Sequence, residues 1–213
     1  MIDKRYQVFI STSGAEMQPE RMVLSQTLVG MGFFSWGLEQ RTPLSTAFAR
    51  RQIDDCDYVI LLLGSQYGEQ SVSGVGYMHL EYIYAVTKQK PIIVFMHDDP
   101  AARDPALHDQ KPELKEKFNE FRKLLQQEVD QVFSYRTLRD LEMAVRLNMT
   151  QMLERYPATG WVRPQNTQAL HDEIDRLKAK MAQLERDLGT READPFLTLP
   201  KVAMNEAFSC ELS

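Results

Sequence analysis

Two apolar stretches, YVILLL at 58–63 and IIVFM at 92–96, constrain the fold more than any other feature of this chain. Neither carries a charged residue that could face water. A strand built from either must be covered on both faces, as in a parallel sheet packed between two layers of helices. The interval between them holds a loop and one crossover helix, and such crossovers are right-handed. In open parallel sheets ligands bind beyond the carboxyl ends of the strands. Residues 64–68 and the start of the next helix therefore line the expected site.

The pattern extends in both directions. Residues 6–10 read as a first strand followed by the polar loop STSG. A helix over 19–30 places its apolar face on Met22, Val23 and Leu28, with Gly32 as the stop. Strands at 33–38 and 132–135 and helices over 44–55, 77–88 and 138–155 complete the alternation. Residues 98–112, rich in Asp, Pro and Ala, read as a loop or lid. Residues 113–128 show a helical stripe through Leu114, Phe118, Phe121, Leu124 and Leu125. The fold expected is α/β and flavodoxin-like, a parallel sheet of about five strands in the order 2-1-3-4-5 with helices on both faces.

After Pro157 the composition changes. A turn-rich linker at 158–166 separates the α/β domain, 1–157, from a heptad helix at 167–189, and a tail at 190–213 follows. Leu170, Ile174, Leu177, Met181, Leu184 and Leu188 recur at spacings of four and three, the seam of a coiled coil. So short a helix is marginal alone, so the stripe either self-associates or packs back on its own domain. Net charge is −5 with the signs interspersed, which leaves no broad basic face for direct nucleic-acid binding. Cys56 and Cys210 form neither a disulfide framework nor a metal-ligand spacing and suit a reducing compartment. No run reaches membrane-spanning length and the N-terminus has no signal-peptide core, so a soluble, cytoplasmic protein without membrane contact is expected.

The candidate catalytic group is Glu81, early in the helix that follows the 58–63 strand. A carboxylate beside a ribose can stabilise an oxocarbenium-like transition state or form a covalent glycosyl intermediate. When the leaving group is nicotinamide, already cationic at the ring nitrogen, no strong general acid is required. Around it, Phe9, Ser11, Thr12 and Ser13 come from the first strand and its loop, and Trp36, Glu39 and Arg41 from the second. Gly64 and Gly68 permit close backbone approach, and Tyr67 and Tyr77 offer rings and hydroxyls to a base or ribose. Each has an ordinary structural role as well: Glu81 pairing at the surface with Lys88 or Lys90, Trp36 as core or rim, the serines as caps, the glycines and tyrosines as turn material. His97, Asp98 and Asp99 lack a convincing metal geometry, so no metal site is expected.

The segments RYQVFIS (5–11), PER (19–21), GLE (37–39), IDDCDYVILLLG (53–64), YG (67–68), GYMHLEYIYA (76–85), KPIIVF (90–95) and GWVR (160–163) together resemble a TIR-like domain family of unassigned activity. That family usually stands at the N-terminus of larger proteins linked to bacterial defence or NTPase modules. In its wider relatives, TIR domains that cleave NAD and nucleoside deoxyribosyltransferases, a Gly-containing loop leads to a helix bearing the catalytic glutamate as E-x-x-x-A before a Lys-Pro strand entry. Glu81, Ala85, Lys90 and Pro91 match that pattern. Where the family has Ser, Thr and Glu around the helix start, this chain has Gly76, Met78 and His79.

The resemblance implies an N-glycosidase acting on NAD or another nucleotide, needing no cofactor and gated by homo-oligomerisation through 170–188. A second protein of an antiviral defence system is an implied partner. The alternative is a non-catalytic signalling scaffold that senses a nucleotide or binds a protein. A phosphate receiver or flavin domain of the same topology fits less well, since Ser, Thr and Gly stand where a receiver needs acidic residues.

Overall fold

The structure, a computed structural model, describes residues 4–37, 43–162 and 164–192. It divides into two compact units, residues 1–162 and 163–213. In the first, strands β1 (Tyr6–Thr12), β2 (Phe33–Trp36), β3 (Tyr58–Leu63), β4 (Ile92–His97) and β5 (Val132–Tyr135) form one sheet in the order β2-β1-β3-β4-β5. Every pairing is parallel. The helices between them are α1 (Gln18–Gly30), α2 (Pro43–Asp55), α3 (Tyr77–Thr87), α4 (Pro112–Glu128) and α5 (Leu138–Arg155).

Strand alternation sorts the core into two layers. Val8, Ile10, Ile60, Leu62 and Phe95 pack with Leu24 and Leu28 of α1 and Leu141, Val145 and Met149 of α5. Phe9, Val59, Leu61, Leu63 and Val94 face the other way, onto Ile53 of α2, Met78 and Tyr82 of α3 and Phe118, Phe121 and Leu125 of α4. All of β3 is buried. With ~1.5–3 kcal/mol for each large apolar side chain removed from water, this strand is the centre of the fold. Local chemistry also starts elements: Thr137 Oγ1 accepts from the Asp140 amide (3.1 Å) and Asp140 Oδ2 from the Thr137 amide (2.9 Å), a reciprocal cap that opens α5.

Several boundaries differ from the sequence reading. β1 runs on to Thr12 because Ser11 and Thr12 pair with Leu61 and Leu62. The face assigned to α1 requires correction: Met22 is exposed and Val23 half-buried, whereas Glu20, Leu24, Thr27 and Leu28 point inward. Leu24 and Leu28 enter the core on that side, and Glu20 meets Arg103 there. Residues 98–112 contain two 3-10 turns, Pro100–Ala102 and Pro105–Leu107. Trp161, placed in the linker by the sequence, exchanges both backbone hydrogen bonds with Arg5 (2.8 and 2.6 Å), and the first unit extends to Val162. In the second unit, α6 (Pro164–Glu192) carries the heptad stripe, and all six of its apolar side chains are exposed.

Candidate active site

Glu81 lies on the inward face of α3 with Met78, Tyr82 and Ala85 and is only 6 % exposed. It reaches the carboxyl end of β1, where alternation places Ser11 on the same sheet face as Phe9, the face that α3 covers. Ser11 Oγ donates to Glu81 Oε2 at 2.5 Å, both groups being buried. A carboxylate removed from water is costly unless hydrogen-bonded, and a hydroxyl donor to an ionised oxygen is among the stronger neutral partners. The surface-pairing role does not apply. Lys88 pairs with Asp54 (3.1 Å), and Lys90 Nζ donates to the carbonyls of Asp54 and Cys56 (2.7 and 2.6 Å).

The other sequence candidates divide. Phe9 is core on the Glu81 side of the sheet. Trp36 is the register partner of Phe9 and half exposed, so it stands on the open edge of that same face. Glu39 and Arg41 lie outside the described residues. Thr12 and Ser13 are buried, and Ser13 Oγ donates to Glu16 (2.6 Å), not to Glu81. Tyr67 is buried, its hydroxyl accepting from the Gly76 amide (3.1 Å) and lying 3.0 Å from His79 Nδ1. Tyr77 is buried at the start of α3. Gly68 adopts φ 81° against the Ser13 carbonyl oxygen, where a Cβ would sit at 2.2 Å, so this loop is closed down on the β1 loop as only glycine allows. His79 stacks on Phe121 at 4.3 Å, and burial pushes its pKa below the ordinary value.

A second buried group of charges, absent from the sequence reading, occupies the same end of the sheet. Arg103, its side chain 7 % exposed, contacts Glu16 Oε2 (3.3 Å) and Glu20 Oε1 (2.7 Å), and its Nη2 also donates to the Glu16 carbonyl (3.2 Å). Ser13 and Ser65 complete the shell around Glu16. Burial raises the Glu16 pKa, against the lowering effects of Ser13 and Arg103. Glu20 Oε2, Arg103 Nε and His97 Nδ1 are buried without a hydrogen-bond partner among the described residues. A Cβ on Gly64 would sit 2.3 Å from Met17 Sδ and 2.8 Å from Glu16 Oε2, so glycine there makes room for the cluster. The one available signal was slight: Arg103 is the sole Lys or Arg between positions 98 and 110, amid several acids.

A cleft of about 700 Å³ opens beside this cluster, lined among others by Ser13, Glu16, Gly68, Glu69, Asp109 and Lys111. Glu81 does not line it. Asp109 accepts the Tyr67 amide at 2.6 Å, and burial raises its pKa. Among the described residues no group of three His, Cys, Asp or Glu side chains could hold a metal ion, and no helix is long and apolar enough to cross a membrane.

Fold and site together define a doubly wound α/β domain with a buried carboxylate hydrogen-bonded at the carboxyl end of its first strand. The chain belongs to the family described as Domain of unknown function (DUF4062), whose model matches residues 7–150. No curated protein matches the sequence significantly. Among solved structures it is similar to the Clostridium botulinum CMP N-glycosidase BcmB (16 % identity, 66 % of this chain and 98 % of that one, TM-score 0.39). It is also similar to the TIR domains of the activated Roq1 resistosome (15 %, 66 % and 81 %, TM-score 0.36). A third likeness is to a single-substitution variant of Aquifex aeolicus Era bound to GDP·AlF4⁻ (10 %, 74 % and 58 %, TM-score 0.43). At such scores these likenesses bear neither on mechanism nor on substrate.

Proposed function

We propose that this chain is a TIR-like N-glycosidase of NAD or a related nucleotide, with Glu81 as the catalytic carboxylate and self-association through α6 as its gate. The observation that carries this reading is the buried Glu81 held by Ser11 at the carboxyl end of β1. A helical glutamate with no task would sit in water; this one bears the cost of burial where doubly wound sheets bind ligands. Its sequence setting, E-x-x-x-A before Lys-Pro, supports the same role. As the N-glycosidic bond breaks and the base leaves with its electron pair, Glu81 stabilises the positive charge developing on the ribose, or bonds to the anomeric carbon in a glycosyl ester that water then hydrolyses, and Ser11 orients the carboxylate. Trp36 stands on the open edge of this face to receive a base.

The test is release of nicotinamide or free base from NAD and a panel of nucleotides by concentrated protein, followed chromatographically. Release is expected from the wild type and falls by about a hundredfold to a thousandfold in Glu81→Gln. Intact substrates throughout, with a known glycohydrolase scoring in parallel, would sink the proposal. A second reading, a non-catalytic scaffold in which the pocket only senses a nucleotide, is favoured by one feature: α3 opens at Gly76 with no side-chain cap, where the enzymes' motif supplies polar groups. Nucleotide binding or assembly that is unchanged in Glu81→Gln, without turnover, would select it.

A further inference from the structure

We infer that α6 joins two copies of this chain as a parallel, in-register, two-stranded coiled coil. The inference takes from the reading above only the premise that α6 self-associates; it is independent of what Glu81 does. The six apolar residues of the stripe are all exposed on a 29-residue helix, and a helix of that kind needs a partner surface. Their spacing sets the register: Leu170, Leu177 and Leu184 occupy the d positions, and Ile174, Met181 and Leu188 the a positions. Leucine at every d, with isoleucine at the first a, favours two strands over three or four.

The flanking charges decide the orientation. Glu173 and Lys180 are at g, and Lys178 and Glu185 at e. In a parallel pair each g residue meets the e residue of the next heptad on the partner. Glu173 then faces Lys178 and Lys180 faces Glu185, and the twofold axis repeats both pairs. In an antiparallel pair with the same apolar overlap, g meets g and e meets e. Lys180 would then face its own copy, Lys178 its own copy, and Glu173 would face Asp187. In the parallel pair two kinds of contact are attractive and one, Asp187 at g with Glu192 at e near the end of the helix, is like-charged, whereas every contact among Asp, Glu and Lys side chains at g–g and e–e of the antiparallel pair is repulsive, which is how e and g charges select orientation. The residues at b, c and f, among them Asp175, Arg176, Ala179 and Arg186, are polar or small and suit the outer surface. The existing Arg176–Glu173 contact (2.7 Å) is exposed and too weak to hold Glu173 back from a partner.

The experiment uses the full chain with Cys210→Ser, so that the only native thiol left is the buried Cys56. Sedimentation equilibrium is expected to show a monomer–dimer equilibrium, and Leu170→Cys is expected to form a disulfide with its own copy under copper-phenanthroline oxidation. Glu173→Lys with Glu185→Lys sets lysine against lysine in both attractive pairs and weakens association about a hundredfold. Mixing that protein with Lys178→Glu/Lys180→Glu restores the dimer. A monomer at every concentration, a trimer, cross-linking confined to mixtures of Leu170→Cys with Leu188→Cys, or indifference to the charge reversal would each overturn the inference. None of these readouts measures turnover. A dimer that releases no base fails the glycosidase reading and leaves this inference standing, and an active monomer fails this inference and the gate while the glycosidase reading stands.

Discussion

Two buried carboxylate sites share one end of the sheet and differ in what holds them. Glu16 and Glu20 are clamped by a guanidinium from 83 residues or more further along the chain, and the segment 98–110 is thereby pinned over the end of the sheet. Glu81 is held by the hydroxyl of Ser11 on the neighbouring strand. An ion cluster with fixed partners has its charge already committed, and removing one partner strands the others. Glu81 is oriented by a hydroxyl at a strand's carboxyl end, where doubly wound sheets bind their ligands. The first arrangement fixes a segment over the sheet, and the second holds the carboxylate that we propose to be catalytic, although both are buried glutamates.

The largest expected difference comes from breaking each site in turn. Arg103→Met leaves Glu16 and Glu20 buried without their cation and is expected to cost ~3–5 kcal/mol in urea unfolding. Glu81→Gln, which keeps an acceptor for Ser11, is expected to stay within about 1 kcal/mol of wild type in the same measurement while losing base release. Equal destabilisation by the two would erase the distinction. Gly64→Ala forces a methyl group against Met17 and Glu16 and is expected to cost ~1–3 kcal/mol, with any turnover per folded molecule retained. Ser11→Ala removes the orienting hydroxyl. It is expected to lower kcat about tenfold with KM little changed, and Ser11→Thr to restore part of it.

The smallest effect is with pH. His97, beside the ion cluster, and His79, on the helix of Glu81, both have pKa values lowered below 6.5, mainly by burial and, for His97, also by Arg103. As pH falls through 6.5 the unfolded chain takes up these protons first, so their contribution to stability is present above 6.5 and is lost on acidification toward the lowered values. His97→Gln and His79→Gln are each expected to flatten the fall of stability with pH below 6.5, measured by urea unfolding across that range. A slope unchanged in both variants would show that other groups carry it.

Most of the architecture was legible because it is written in local repeats. Fully apolar runs at β3 and β4, helix-length intervals and a polar break after each strand specify a doubly wound sheet before any contact is known. Glu81 stood out as a candidate for a different reason, as a lone acid early in the helix after the central strand. Rotation about a helix axis was harder: Met22 and Val23 are as apolar as Leu24, and the buried side is the one on which Leu24 and Leu28, four residues apart, enter the core and Glu20 meets Arg103.

What the sequence by itself determined is therefore the strand order, the layers, the candidate carboxylate and a heptad stripe on α6. Tertiary structure alone decided that Ser11, 70 residues from Glu81, donates to it, that Tyr67 turns its hydroxyl to Gly76 and His79, and that Arg103 closes over Glu16 and Glu20. The reason is physical. Backbone periodicity follows from near neighbours in the chain, whereas a buried charge is settled by whichever donors the fold brings within about 3 Å, and that distance carries no signature in one dimension.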